Sequence, residues 1–157
     1  MVTFSSSATL AQLRAWVGKR RGDGDTCPVC DQHFKVYRRK INTGMAQSLI
    51  AMYRAGGTDF IHLPTTIGAR SREEGKLRYW GLVEERSGTR PDGGHAGWWR
   101  VTELGELFIL KKVRVRQYAE VYNGECLALT GDVVSIEDAL GDSFLYGELM
   151  AERALTA

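Results

Sequence analysis

Apolar residues recur along this chain at two periods, and the switches between them mark out its elements. Leu10, Leu13, Trp16 and Val17 fall on one helix face within residues 3–17, with Ser7 or Thr9 as the cap. Residues 18–26 are polar and glycine-containing, hence a loop. Phe34, Tyr37, Ile41, Met45, Leu49, Met52 and Tyr53 return at helical spacing across residues 31–55. Thr43 divides that run by capping a helix over residues 44–54, and Gly56-Gly57 ends it. Residues 58–63 alternate as a short strand stopped by Pro64. Thr65-Thr66 cap a segment leading into a helix within residues 68–80, whose Leu77 and Trp80 face inward.

The second half continues with strand-like pattern. Leu82 and Val83 lead into residues 87–97, where four glycines and one proline exclude a regular element. Trp98-Trp99-Arg100-Val101 is a strand that sends its two tryptophans to opposite faces. Thr102 caps the next helix, with Gly105 near its start and Leu104, Leu107, Phe108 and Leu110 as its apolar face. Asn123-Gly124 is a tight-turn signal between residues 118–122 and 126–130, a β-hairpin. Ser135 and Asp138 form a capping box, Gly141 stops that short helix, and a last helix carries Phe144, Leu145, Leu149 and Met150.

The order helix, strand, helix, strand, exposed loop, strand, helix is that of a winged helix-turn-helix. The fold expected is α+β: a winged helix-turn-helix over residues 34–112, preceded by a helix and a cysteine knuckle in residues 1–33. A hairpin-helix extension over residues 113–157 is too small to fold alone and should pack on it.

Gly81-Leu82-Val83, the charged residues after it, Arg90, Asp92, then Trp99-Arg100-Val101-Thr102 and Gly105, resemble the wing region of MarR-type and related winged-helix regulators. The likeness spans about a fifth of the chain and implies the fold more than the function. Where that family has an Asp-x-Arg wing tip, here Asp92 is followed by Gly93-Gly94-His95. The whole chain also resembles small winged-helix proteins with a Cys-Pro-x-Cys knuckle that phages and prophages carry. That likeness implies a setting, a host cytoplasm, rather than an activity.

Charge divides the chain more sharply than its net of +2 suggests. Residues 1–54 carry nine Lys/Arg against three Asp/Glu, residues 55–116 eleven against eight, and residues 117–157 one against eight. A basic body suits an anionic partner such as nucleic acid, and the acidic last quarter should face away or bind something else. No apolar run approaches the roughly 20 residues that span a bilayer. The opening residues lack a basic start followed by an apolar stretch, so no secretory leader is expected there.

Three cysteines, two of them in Cys27-Pro28-Val29-Cys30, argue for a reducing cytoplasm and a structural metal rather than a disulfide framework. That tight turn can aim two thiolates at one zinc ion. His33, expected in the first turn of a following helix, is a third candidate ligand, with the fourth undefined among Cys126, His62 and His95. A thioredoxin-like redox pair would need a strand–CxxC–helix unit that the pattern does not offer.

Enzyme chemistry finds no foothold in the sequence. The three histidines stand beside no Ser or Cys nucleophile, and neither phosphate-binding glycine motif is present. The reading is therefore a small DNA-binding regulator. Arg70, Arg72, Lys76 and Arg78 come from the expected recognition helix, Arg90, His95 and Arg100 from the wing, and Arg38, Arg39 and Lys40 from a basic cluster. The competing reading is a winged-helix module that binds a protein through Trp98, Trp99 or the acidic C-terminal segment. Glu73-Glu74, two carboxylates within the expected recognition helix, favour the second reading.

Overall fold

The computed structural model describes residues 5–67, 73–86 and 97–155. Helix α1 (Leu10–Arg20) begins at Thr9, whose hydroxyl accepts from the Gln12 N–H while the Gln12 side chain accepts from the Thr9 N–H. A two-stranded ribbon comes next, β1 (Asp25–Thr26) and β2 (His33–Phe34), with Cys27–Cys30 at its tip. It leads into β3 (Tyr37–Lys40), α2 (Thr43–Gly56), β4 (Ile61–His62) and the short α3 (Leu63–Thr66). A 3₁₀ helix (Glu74–Trp80), β5 (Val83–Glu85), β6 (Trp98–Val101) and α4 (Glu103–Ile109) complete the middle. The chain closes with β7 (Val115–Tyr122), β8 (Glu125–Val134), α5 (Ile136–Leu140) and α6 (Tyr146–Leu155).

The sheets are small and antiparallel. One is ordered β4-β6-β5, so the last strand in sequence lies between the other two, with Ile61 opposite Trp99 and Val83 opposite Val101. The other is ordered β3-β7-β8. Its β7–β8 hairpin turns at Asn123 and Gly124, both at positive φ (51° and 77°), the backbone that a two-residue type I′ turn needs.

The helical spacing across residues 31–41 is overturned: those residues form β2 and β3, and His33 sits in a strand. All four residues of β3 pair with β7, Tyr37 to Val121 through Lys40 to Tyr118. A distant strand supplies that ladder, and local spacing carries no trace of it. Helix α2 is capped one residue earlier than expected, by Asn42, whose side chain accepts from the Met45 N–H at 2.9 Å. The Thr43 hydroxyl instead donates to the Leu140 carbonyl at 3.1 Å, tying α2 to α5. Thr65 and Thr66 lie inside α3 rather than capping a later helix. The expected recognition helix is, in its described part, a 3₁₀ helix from Glu74; residues 68–72 lie outside the described residues.

One hydrophobic cluster joins these elements. Met45, Leu49, Ile50 and Met52 of α2 meet Leu77, Trp80, Leu82, Val101 and Phe108 on one side. On the other they meet Ala119, Val121, Ile136, Leu140 and Leu149 from the last 41 residues. The segment from Val113 to Met150 therefore shares the core of the middle segment. Among the described residues no helix is long and apolar enough to cross a membrane.

Candidate functional site

The 3₁₀ helix sets the position of two carboxylates that would otherwise repel an anion. Side chains three apart eclipse in such a helix, so Glu74 shares the inner face with Leu77 and Trp80 and is buried. There it accepts from the Ser48 hydroxyl at 3.2 Å. Glu73, just before it, accepts from the Asn42 side chain at 2.9 Å and from the Lys76 ammonium at 3.0 Å. The Asn42 bond first, then Lys76, hold the Glu73 carboxyl below its ordinary value. Glu74 is thus turned into the fold against α2, while Glu73, partly exposed, is tied to the cap of α2 and to Lys76.

The outward side beside them is a cleft of about 360 Å³. The knuckle ribbon contributes His33 and Phe34, the link to β3 Lys35, and β3 itself Tyr37 and Arg39. The 3₁₀ helix adds Lys76 and Tyr79, and the end of β7 adds Val121 and Tyr122, with Asn123 and Gly124 of the turn. The described lining holds three long cations, a histidine and four aromatic rings, and no carboxylate. Arg39 lies over the Tyr37 ring at 5.5 Å and Arg78 over the Tyr79 ring at 5.1 Å. Cations alternating with aromatic faces can take phosphates and stacked bases together.

The strand register divides the basic cluster that the sequence presents as one. Arg39 stands opposite Ala119, on the face turned to the cleft, whereas Arg38 and Lys40 alternate to the other face. Arg38 lies over the Tyr118 ring at 3.6 Å. His33, Arg39 and Lys76, drawn from three separate expectations, thus meet in one cleft, with Arg78 close by.

Other expected site residues lie elsewhere. Arg100 pairs with Glu84 across β6 and β5 and lies over the Phe60 ring at 5.1 Å. Arg70, Arg72, Arg90 and His95 fall outside the described residues. Trp99 packs against the core, and Trp98 meets His62 in a tilted ring contact with centroids 5.4 Å apart, so each tryptophan is half-buried on its own face. Lys35, Tyr37, Tyr79 and Tyr122 are lining residues that the sequence reading misses. The interleaved Phe34-Lys35-Val36-Tyr37-Arg38-Arg39-Lys40 is the signal that points to the first two.

The knuckle is well formed at its first cysteine. The Cys27 N–H donates to the Gln32 carbonyl at 2.7 Å and the Asp31 N–H to the Cys27 carbonyl at 3.0 Å, closing the turn. Asp31 takes the left-handed conformation (φ 62°) that lets the chain double back. The Val29 N–H points at the Cys27 Sγ, 3.4 Å away. Backbone N–H donors of Cys30 and then Val29, followed by the Cys30 thiol, lower the Cys27 pKa, so the thiolate is favoured. Two soft donors therefore suit zinc. The His33 ring lines the cleft and lies against Gly24, where an added Cβ would sit 3.2 Å from Nε2. Among the described residues no three His, Cys, Asp or Glu side chains gather as a metal site.

Comparison with protein-family models, with curated proteins and with solved structures finds no match for this chain.

Proposed function

We propose that this chain is a DNA-binding protein built on a winged helix-turn-helix, a small regulator that docks on duplex DNA. The fold part of the reading is supported by element order: α2, β4, α3, the 3₁₀ helix, β5, the intervening residues 87–96, then β6. The sheet order β4-β6-β5 is the one a winged helix requires. In that scheme the 3₁₀ helix occupies the recognition position and presents Lys76, Arg78 and Tyr79.

The carrying observation is the cleft. Lys35, Arg39 and Lys76 converge there with Tyr37, Tyr79 and Tyr122, and the described lining holds no carboxylate. Phosphates would be held by the cations, giving affinity and a steep salt dependence. Glu74 does not oppose this, because it is buried and tied to Ser48, while Glu73 is held by Asn42 and offsets part of the charge of Lys76.

The test is a titration of random-sequence duplex DNA against salt, read by fluorescence anisotropy. Binding should weaken steeply with salt, and Arg39→Ala or Lys76→Ala should each flatten the log–log slope by about 0.9 for a lost phosphate contact. Arg38→Ala, on the other face of β3, should change the slope less. Failure to bind at low salt, where attraction is strongest, would end the DNA reading.

A second reading has its own observation. β8 is a ten-residue strand at the edge of its sheet, and Leu127, Leu129 and Val133 are 42%, 40% and 48% exposed on it. An apolar edge strand suits a protein partner, and the same titration separates the two readings.

A further inference from the structure

We propose that the Cys27–Cys30 knuckle is half of a zinc site whose other half is the same knuckle of a second copy, one Zn²⁺ held by four thiolates joining two chains. Structural zinc takes four ligands in a tetrahedron, and this chain has three cysteines and three histidines. Among the described residues no third His, Cys, Asp or Glu gathers with Cys27 and Cys30, and two of the other candidates are engaged elsewhere. Cys126 belongs to β8, packs against the core and points its thiol at the Ala128 carbonyl. His62 bonds Thr65 through Nδ1 at 2.9 Å and packs its ring against Trp98. His33 lines the cleft with its ring against Gly24, and His95 lies outside the described residues.

The two thiols, by contrast, are prepared and open. The closed turn, the left-handed Asp31 and the Val29 N–H aimed at the Cys27 sulfur fix the shape of the knuckle. Cys30 is exposed, and Val29 between the thiols is 71% exposed, an apolar residue at the tip of the ribbon. Two such tips meeting on a twofold axis supply four sulfurs at about 2.3 Å from one ion. They also cover both copies of Val29. Each thiol releases its proton to solvent as it binds. Because β2 adjoins the knuckle and carries the cleft's Phe34, joining two tips fixes two clefts relative to each other.

The experiment uses the full chain without DNA, so its outcome is independent of the DNA reading. Purified protein is loaded with zinc, its metal content measured, and its mass followed by native mass spectrometry and sedimentation. One zinc per two chains in a dimer that chelator converts to monomer is the expected result. Cobalt in place of zinc should give the absorption of a tetrathiolate site. Cys126→Ser and His33→Gln should keep one metal per two chains, and Cys27→Ser with Cys30→Ser should give metal-free monomer. The chelated wild-type chain should keep its circular dichroism, separating loss of the bridge from loss of the fold. One zinc per monomer would overturn the proposal by placing the missing ligands within the chain. Absence of bound zinc would overturn it too.

Discussion

The Glu73 carboxylate accepts from the Lys76 ammonium at 3.0 Å, and both side chains are about one-third exposed. The pair stands at the rim of the basic cleft, with Lys76 in the lining and Glu73 behind it. Glu73 therefore restrains one of the charges proposed to meet phosphate. Glu73→Gln keeps an oxygen for Asn42 and releases Lys76. Duplex DNA should bind the variant about twofold to fivefold more tightly at low salt, the scale of a partly exposed ion pair. Unchanged or weaker binding would show that Lys76 does not face the nucleic acid.

The same carboxylate gives a stability prediction with a definite sign. Asn42 and then Lys76 lower its folded pKa, so the unfolded chain takes up the proton first as pH falls. Its contribution is complete above the unfolded glutamate value, about 4.3, and is lost as pH drops through the lower folded value. The urea midpoint of the wild type should exceed that of Glu73→Gln by a constant amount near neutral pH. The gap should close in acid. An equal gap at acid and neutral pH would contradict the assignment.

Local chemistry makes much of this fold legible, and long-range pairing hides the rest. Caps are written in adjacent residues, so Thr9, Thr102 and the Ser135–Asp138 box stand out, as does the Asn123-Gly124 turn. β3 resembles helix because Phe34, Tyr37 and Ile41 happen to fall three and four apart, while the ladder that makes it a strand comes from β7. The cleft is half legible for the same reason. The basic cluster is plain, but which of Arg38, Arg39 and Lys40 shares a cleft with Tyr79 depends on the register with β7. Glu74 looks like a charge for the groove when paired with Glu73, but it stands three residues before Leu77 and six before Trp80, and the period of the 3₁₀ helix puts all three on the inner face.

Gly105 is where α4 approaches the turn after the 3₁₀ helix. A Cβ there would lie 2.2 Å from the Leu82 carbonyl oxygen and 2.7 Å from Val101 Cγ1. Thr102 holds the approach by donating to the Gly81 carbonyl at 2.6 Å while accepting from the Gly105 N–H at 3.1 Å. Alanine in place of a helical glycine ordinarily adds up to about 1 kcal/mol of stability. Here the first obstacle is backbone, which cannot swing aside, so Gly105→Ala should cost about 1–3 kcal/mol. Calorimetry should show a melting temperature lower by about 2–4 °C for each kcal/mol. An unchanged or higher melting temperature would mean that α4 shifts freely.

Removing residues 117–157 tests whether the acidic last quarter is an appendage. The deletion takes Ala119, Val121, Ile136, Ala139, Leu140 and Leu149 out of the single core. It also removes the carbonyl that Thr43 reaches on Leu140, the Leu149 carbonyl that Arg54 reaches, and the Tyr146 hydroxyl that donates to Ile109 at 2.8 Å. Val121, Ile136, Leu140 and Leu149 alone, at about 1.5–3 kcal/mol each for burial, rival the roughly 5–15 kcal/mol by which a typical domain is stable. Their loss would also bare the α2 surface that α5 and α6 cover. The truncated chain should bind a hydrophobic dye, aggregate and lose its cooperative melt. DNA binding is a poor readout for it, since removing one Lys/Arg and eight Asp/Glu strengthens attraction to any polyanion. A monomeric truncation melting near the wild-type temperature would show that residues 117–157 ride on a core complete without them.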